Sequence, residues 1–306
     1  MQKAIQTIYP PEYPLLLNRL DKVPEKLDII GTLPSDDHKW LCIVGSRTHS
    51  EYGVEVCKEI IRGLAGYPIV IVSGLAIGID SLAHEIALEV GLKIVVIPGS
   101  GLDDDTIYPQ SHLELAKRII DSGGTLISPY EPTQKATRWT FPVRNQLMAG
   151  LSHAVLVIEA RKKSGTMITA NAAGDINRDT LAVPGSIFSD LSSGPHELLR
   201  KGATAVTCAE DVLEALGFDL PVLDDENQGK KVKQSREAAR QKWLTNASLS
   251  PLERRAIGCL GTPRVRDDLM RKLNICAADL SAVLVELELR GVIGEQDGYI
   301  VWISTR

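Results

Sequence analysis

Two arginines and several short turns rich in glycine and serine are the residues of this sequence that could do chemistry. Gly45-Ser46-Arg47 and Ser73-Gly74 each follow an apolar run, Arg144-Asn145 precede another, and Ser164-Gly165-Thr166 follow it. Successive backbone N–H groups in such turns favour anions, and the arginine fork matches phosphate oxygens. We therefore expect these turns to hold a ligand that carries phosphates.

The elements that must position these turns are buried strands joined by helices. Residues 41–44 and 69–72 are apolar runs without polar alternation, which is typical of strands covered on both faces of a parallel sheet. Between them, Val56, Ile60 and Leu64 recur at helical spacing, which indicates a βαβ unit. The alternation continues to residue 216 and predicts an α/β fold with a doubly wound, mainly parallel sheet. Such sheets bind ligands at the carboxyl ends of their strands, where the turns would meet.

Each candidate residue also has a purely structural interpretation. The glycines could simply make tight turns, because no turn has the G-x-G-x-x-G spacing of a dinucleotide site. Ser164 could cap a helix, and Asp80 fits an N-cap or a hydrogen-bond partner better than a catalytic acid. Phe141 could be a platform for a base or part of the core. His84 fits a structural role better than that of a general base.

Composition restricts the class of protein and of site. Apolar residues make up 44% and charged residues 24% of the 306 residues, as in ordinary globular proteins. No apolar run approaches the roughly 18 residues that span a bilayer, and the N-terminus lacks a signal-peptide pattern, so we expect a cytoplasmic protein without membrane association. The five cysteines form no C-x-x-C pair, and Asp103-Asp104-Asp105 fits a solvated loop, so neither metal nor disulfide is expected.

The distribution of charge predicts a local basic pocket rather than a basic surface. The net charge is −5; residues 1–223 carry 20 basic and 27 acidic residues, and residues 224–306 carry 14 and 12. A polyanion on the main domain would therefore be held by a few concentrated cations.

Four segments are predicted along the chain. Residues 1–40 are a lead-in packed on the main domain, which spans residues 41–218. Residues 219–247 form a charged linker, whose basic residues are either solvated or make loose phosphate contacts. Residues 248–306 predict three helices and a hairpin that turns at Asp297-Gly298, which together describe a winged helix.

The charges of this last segment favour a protein-interaction module over a reader of duplex DNA. Its third helix, the one that would enter a major groove, carries Asp279, Glu286 and Glu288 against Arg290 alone. Acidic residues that face phosphates would repel them.

A set of motifs, in order from about residue 9 to 216, resembles the DNA-processing protein A family (DprA, also called Smf). The motifs are Ile43-Val44-Gly45-Ser46-Arg47 with Tyr52-Gly53; Ser73-Gly74-Leu75-Ala76 with Gly78-Ile79-Asp80 and Ala83-His84; Gly101-Leu102 with Tyr108-Pro109; Phe141-Pro142 with Arg144-Asn145; Glu159-Ala160 with Ser164-Gly165-Thr166 and Thr169-Ala170; and Val183-Pro184-Gly185 with Gly202-Ala203. The C-terminal winged helix is also similar.

The resemblance implies an extended Rossmann-like fold that binds single-stranded DNA without catalysis and without a cofactor. It also implies that the protein protects incoming single strands during natural transformation, loads the RecA recombinase onto them, and forms a homodimer through the Rossmann-like domain. The residues expected to bind DNA or phosphate are Gly45, Ser46, Arg47, Ser73, Gly74, Gly78, Asp80, Phe141, Arg144, Asn145, Ser164, Gly165 and Thr166. No catalytic or metal-binding residue is expected.

Three positions depart from the family pattern. Gln146 stands where an arginine is usual, Pro129 lies in a Ser-Pro-Tyr segment that is usually Ser-Glu-aromatic, and His196 replaces an asparagine. The loss of one basic residue is expected to weaken phosphate binding and to flatten its salt dependence.

Two other functions compete with this one. Related Rossmann-like proteins bind nucleotides or are phosphoribohydrolases with a Pro-Gly-Gly-x-Gly-Thr-x-x-Glu motif. The nearest segment, Pro98-Gly99-Ser100-Gly101-Leu102, lacks the second adjacent glycine and the glutamate. The other alternative, a duplex-specific regulator that uses the winged helix, conflicts with the acidic third helix.

Overall fold

The computed structural model describes residues 4–219 except 19, 21 and 22, and residues 249–302 except 261–263, 291 and 297–298. The chain divides into two compact units, residues 1–220 and 221–306. The predicted linker, residues 219–247, lies outside the described residues except for its first position.

The first unit is built on one sheet of nine strands. The strands are β1 (Gln6–Ile8), β2 (Leu27–Ile30), β3 (Lys39–Val44), β4 (Ile69–Ser73), β5 (Lys93–Val96), β6 (Thr125–Ser128), β7 (Ala154–Val157), β8 (Asp179–Ala182) and β9 (Thr204–Ala205). Their order across the sheet is β1-β2-β6-β5-β4-β3-β7-β8-β9. All pairings from β6 to β9 are parallel, whereas β2 is antiparallel to both β1 and β6. The predicted α/β fold with a doubly wound, mainly parallel sheet is confirmed.

The strand order places a topological switch point at β3. From β3 the chain proceeds through β4, β5 and β6 in one direction, and from β7 through β8 and β9 in the other. Six adjacent strands of the sheet, in the order β5-β4-β3-β7-β8-β9, thus follow the Rossmann order. Ligands of such sheets bind outside the carboxyl ends of the two strands that flank the switch point.

Helices cover both faces of this sheet. They are α1 (Leu15–Asn18), α2 (Glu51–Gly63), α3 (Ile79–Glu89), α4 (Leu113–Asp121), α5 (Thr140–Gly150), α6 (Gly165–Asp175), α7 (Ser193–Arg200) and α8 (Ala209–Ala215). Buried residues of α2, α3, α4 and α8 form one apolar layer, and those of α1, α5, α6 and α7 form the other. Because both faces of the strands are covered, the central strands are apolar throughout, as their sequences indicate.

The N-terminal lead-in contributes strands as well as packing. β1 and β2 extend the sheet beyond β6, which the sequence did not indicate because both strands are short and Asp28 interrupts the apolar run. Asp28 is buried and accepts a hydrogen bond from the Thr7 hydroxyl at 2.7 Å. The polar residue is thus satisfied inside the sheet by its neighbouring strand.

The second unit has the predicted order of three helices and a hairpin. It comprises α9 (Pro251–Cys259), α10 (Arg266–Leu273), α11 (Ala277–Leu289), β10 (Ile293–Gln296) and β11 (Tyr299–Trp302), and the two strands pair antiparallel. A capping box formed by Ser250 and Glu253 begins α9. The winged-helix prediction is confirmed, and the predicted turn at Asp297-Gly298 lies outside the described residues.

Candidate nucleic-acid interface

A cavity of about 490 Å³ opens at the carboxyl ends of β3 and β7, at the switch point of the sheet. We call it the switch-point pocket. Ten residues predicted from the sequence line it: Gly45, Ser46, Arg47, Asp80, Phe141, Arg144, Asn145, Ser164, Gly165 and Thr166. In all, the lining carries four cationic side chains and a single carboxylate, and two of the cations and the carboxylate belong to these ten residues. Its volume is in the range of ordinary small-ligand sites.

Arg144 lies at the base of this pocket and is held by the backbone. Its side chain is 4% exposed, and Nη1 donates to the carbonyl oxygens of Gly74 at 2.5 Å and Ile97 at 3.0 Å. Within the described residues, Nη2 forms no hydrogen bond. Burial lowers the pKa of Arg144 below its usual range and the Asp80 carboxylate opposes that change. The guanidinium remains charged and keeps donors available to a ligand.

Asp80 organises the turns beside Arg144. Its buried carboxylate accepts a hydrogen bond from the N–H of Gly74 at 3.1 Å, and the amides of Gly45 and Ala76 also stabilise its ionised form. Burial raises the pKa of Asp80 above its usual range, and the Arg144 charge opposes this rise. Gly78, not Asp80, is the N-cap of α3, so Asp80 acts as a hydrogen-bond partner.

This arrangement corrects the expected role of one turn. The N–H of Gly74 points inward to a carboxylate, because a buried ionised group must be satisfied by nearby donors. Gly74 therefore does not offer its amide to a phosphate. A side chain at position 74 would also overlap the Arg144 guanidinium.

Phe141 is the centre of an aromatic and cationic cluster at the rim of the pocket. The guanidinium carbons of Arg47 and Arg144 lie 5.5 Å and 5.7 Å from its ring centroid. The ring of Tyr108 meets it edge-on with centroids 5.7 Å apart, and Phe141 packs closely against Gly99. Phe141 is half-buried rather than part of the core, and Arg47 is exposed. An aromatic ring beside two arginines suits a base and its adjoining phosphates.

The N-terminus of α6 forms another wall. Ser164 is its N-cap residue but makes no side-chain capping hydrogen bond, and its buried Oγ has no partner within the described part of the chain. Thr166 donates from Oγ1 to the carbonyl of Gly45 at 2.9 Å, and Asn145 donates from Nδ2 to the carbonyl of Gly165 at 3.2 Å. These bonds fix α6 to the β3 turn and α5 to α6, and they leave the α6 amides available to an anion.

Three predicted residues do not line the switch-point pocket. The buried hydroxyl of Ser73 donates to the carbonyl of Ile43 at 2.6 Å and joins β4 to β3. Gly78 has φ +96° and lies against the carbonyl of Ser46, so it positions the start of α3. Gly74 serves Asp80 and Arg144, as described above. All three residues hold the strands, turns and side chains that line the pocket, without lining it themselves.

Arg161 and Lys163 are pocket residues that the sequence analysis missed. Both are exposed, and they lie between β7 and α6. The run Arg161-Lys162-Lys163 directly before Ser164-Gly165-Thr166 was the signal that could have found them, since it follows the most apolar strand. Trp139 does not line the pocket but lies two residues before Phe141; it is 70% exposed with the Arg138 guanidinium 4.6 Å from its ring, and it was also missed.

Gln146 does not face the switch-point pocket. It lines a second cavity of about 900 Å³, together with Pro129 and Tyr130 and with aliphatic residues such as Leu17 and Leu147. The second cavity is larger, but its lining carries two acidic residues and one lysine, so it is unsuited to a polyanion. The expectation that Gln146 removes a cation from the phosphate site is therefore corrected: on helix α5, positions 144 and 146 point to different cavities.

The described residues contain no group of three or more histidine, cysteine, aspartate or glutamate side chains that could hold a metal. His84 is fully buried, and desolvation lowers its pKa to about 3, so its imidazole is neutral at physiological pH and out of reach of a ligand. Of the helices described, none is long and apolar enough to cross a membrane.

The sequence and the fold both match known proteins. Residues 4–217 match the family model of the DNA recombination-mediator protein A, and residues 241–298 match that of the DprA winged helix domain. Protein Smf of Escherichia coli is 40% identical over 222 residues, which are 72% of this chain and 58% of that protein. The DNA processing protein DprA of Streptococcus pneumoniae is 38% identical over 206 residues, covering 67% of this chain and 72% of that one.

Two solved structures are similar to this one. The crystallographic structure of the Streptococcus pneumoniae DprA matches with a TM-score of 0.65 at 35% identity, and covers 72% of this chain and 76% of that one. The Helicobacter pylori DprA, described for its single-stranded DNA binding mode, matches with a TM-score of 0.61 at 28% identity, covering 71% of this chain and 98% of that one.

Proposed function

The chain belongs to the DNA recombination-mediator protein A family, and from that premise we propose that it binds single-stranded DNA in the switch-point pocket. We propose further that this binding is not catalytic, needs no cofactor, and serves to protect incoming strands in the cytoplasm during natural transformation. RecA loading and homodimerisation through the first unit are parts of the same proposal.

The charge of the pocket carries this proposal. Arg47, Arg144, Arg161 and Lys163 line it against Asp80 alone. Yet residues 1–223 carry seven more acidic than basic residues. Cations concentrated in one concave site of an otherwise acidic unit favour a narrow polyanion over a broad one, because a duplex would also meet the acidic surroundings.

The parts of the pocket have separate roles in this proposal. Arg47 is exposed at the rim and contacts a phosphate, while Nη2 of Arg144 and the amides at the start of α6 hold another. Phe141 stacks on a base, which a duplex would keep inside its own stack. The relative from Helicobacter pylori, described as binding single-stranded DNA, supports this assignment.

Fluorescence anisotropy tests the proposal with labelled single-stranded and duplex oligonucleotides of equal length over a salt series. Single strands are expected to bind at least tenfold more tightly than duplex, with an affinity that falls as salt rises. Equal affinity for both, or no binding, would refute it. Incubation with nucleoside monophosphates tests the non-catalytic part, because release of free base would show a hydrolase.

A further inference from the structure

Helix α11 of the second unit carries an apolar stripe on its exposed side. Ala278, Ala282, Val285 and Leu289 follow one another at spacings of four, three and four residues and are all exposed, Val285 by 53% and Leu289 by 80%. The opposite side of the helix is formed by Leu280, Val283, Leu284 and Leu287, which are buried in the core of this unit. The stripe is thus additional to the residues that the fold itself requires.

The stripe has the register of a coiled-coil seam. With Ala278 and Val285 as d positions and Ala282 and Leu289 as a positions, the e positions are Asp279 and Glu286 and the g positions are Ser281 and Glu288. Residues at e and g set which partner a seam accepts, through charge. Acidic residues on both flanks select a helix whose own flanks are basic.

The charges of this unit argue against two other occupants. A second copy of the stripe would bring acidic flanks together, which is unfavourable. A DNA duplex needs available cations beside the surface that it meets, whereas the stripe is flanked by Asp279, Glu286 and Glu288, and five arginines of this unit are engaged by protein groups. Arg264 pairs with Asp268 at 2.5 Å, Arg266 with Glu295 at 2.7 Å and Arg290 with Glu253 at 3.5 Å, while Arg254 and Arg255 donate to the carbonyls of Leu249 and Leu273.

We propose that the exposed side of α11 docks an amphipathic helix of a partner protein with an apolar stripe and basic flanks. The small Ala278 and Ala282 leave room for bulky side chains of the partner at one end, and Val285 and Leu289 supply the apolar contact at the other. Because the stripe covers less than two full heptads, we expect the binding to be weak.

The test uses the full chain and two labelled synthetic helices of about three heptads, both with leucine at a and d. One helix carries lysine and the other glutamate at its e and g positions, so neither pairs with itself. The basic helix is expected to bind at least tenfold more tightly than the acidic one. Replacing Val285→Glu and Leu289→Glu together is expected to weaken its binding at least tenfold, and these exposed changes leave the fold intact.

Matched variants distinguish binding at the stripe from non-specific binding to the unit. Val265→Glu makes the same change at another exposed valine of the unit and is expected to leave binding unchanged. Glu286→Lys with Glu288→Lys is expected to reverse the preference toward the acidic helix. Equal binding of both helices to wild type would overturn the proposal. The proposal would also be overturned if the Val285/Leu289 variant bound the basic helix as tightly as wild type does. It would be overturned as well if wild type were a dimer that this variant converts to monomer, or if wild type bound duplex DNA and this variant abolished that binding.

Discussion

Nη1 of Arg144 donates a hydrogen bond to the carbonyl oxygen of Gly74 at 2.5 Å, although the two residues lie 70 positions apart. The bond fastens α5 to the turn after β4, close to the carboxylate of Asp80. Arg144 therefore supports the fold of the pocket as well as its charge. Arg47 is exposed, and its guanidinium lies beside the Phe141 ring without a buried hydrogen bond of this kind. Two arginines that look equivalent in the sequence are thus expected to respond differently to substitution.

Arg47→Ala is expected to weaken single-strand binding by about tenfold, the loss of one charge-assisted contact. The slope of log affinity against log salt should become shallower by about 0.7, since one phosphate contact is removed. Stability should remain within about 0.5 kcal/mol of wild type, because the side chain is exposed. Anisotropy titrations and urea unfolding measure the two effects.

Arg62→Ala is the matched control for this prediction. Arg62 lies in the last turn of α2, where it pairs with Glu89 at 2.8 Å, and it does not line the pocket. If it lowered the affinity and the salt slope as much as Arg47→Ala, the cations would act through the overall charge of the surface and not through the pocket.

Arg144→Ala is expected to reduce both binding and stability. It leaves the Gly74 and Ile97 carbonyls without their donor and the buried Asp80 without its nearby cation, a change that costs about 3 kcal/mol. Urea unfolding checks the stability, and anisotropy the binding. Arg144→Lys keeps the charge but not the guanidinium fork, so its DNA affinity and its stability should lie between those of wild type and those of the alanine variant. Unchanged stability in the alanine variant would contradict the structural role of the hydrogen bonds from Arg144 to Gly74 and Ile97.

Phe141→Ala is expected to lower single-strand affinity by about 1–3 kcal/mol with little change in the salt slope, because stacking and not charge is removed. Phe141→Leu preserves apolar packing on Gly99 but not the aromatic face, so it should lose nearly as much affinity. A leucine variant that binds like wild type would show that the ring only fills space.

Gln146→Arg tests the placement of α5. Position 146 lines the second cavity, so an arginine there should change neither the salt slope nor the affinity for single strands appreciably. The family pattern alone predicts the reverse, namely tighter binding and a steeper slope. Anisotropy over the same salt series distinguishes the two outcomes.

His84 is expected to make stability depend on pH. Burial lowers its folded pKa to about 3, below the unfolded value near 6.5, so the unfolded chain binds a proton that the folded chain does not. Its contribution is complete above the unfolded pKa and is lost as pH falls toward 3, by about 1.4 kcal/mol per pH unit. As the pH is lowered from 7 to 4, the denaturant midpoint should therefore fall less steeply in His84→Leu than in wild type. Equal slopes of midpoint against pH would contradict this.

The sequence predicted the sheet and the edge at which the switch-point pocket opens, because apolar runs and glycine turns are local patterns. It did not predict which donors are already used, since the bond between Gly74 and Asp80 depends on a buried carboxylate whose surroundings are set by packing. The direction of Gln146 was missed for a similar reason. Two residues along a helix correspond to more than half a turn. Positions 144 and 146 of the family motif therefore lie on different faces of α5, although they are close in sequence.

Photocrosslinking locates the DNA most directly. A single strand that carries 5-iododeoxyuridine would be irradiated in complex with the full chain, and the crosslinked peptides identified by mass spectrometry. We expect crosslinks at Phe141, or at the neighbouring Trp139 and Tyr108, and their loss in Arg47→Ala at limiting protein concentration. Crosslinks confined to residues remote from Phe141 and from the lining of the switch-point pocket, such as those of the second unit, would contradict the central claim that this pocket holds the strand.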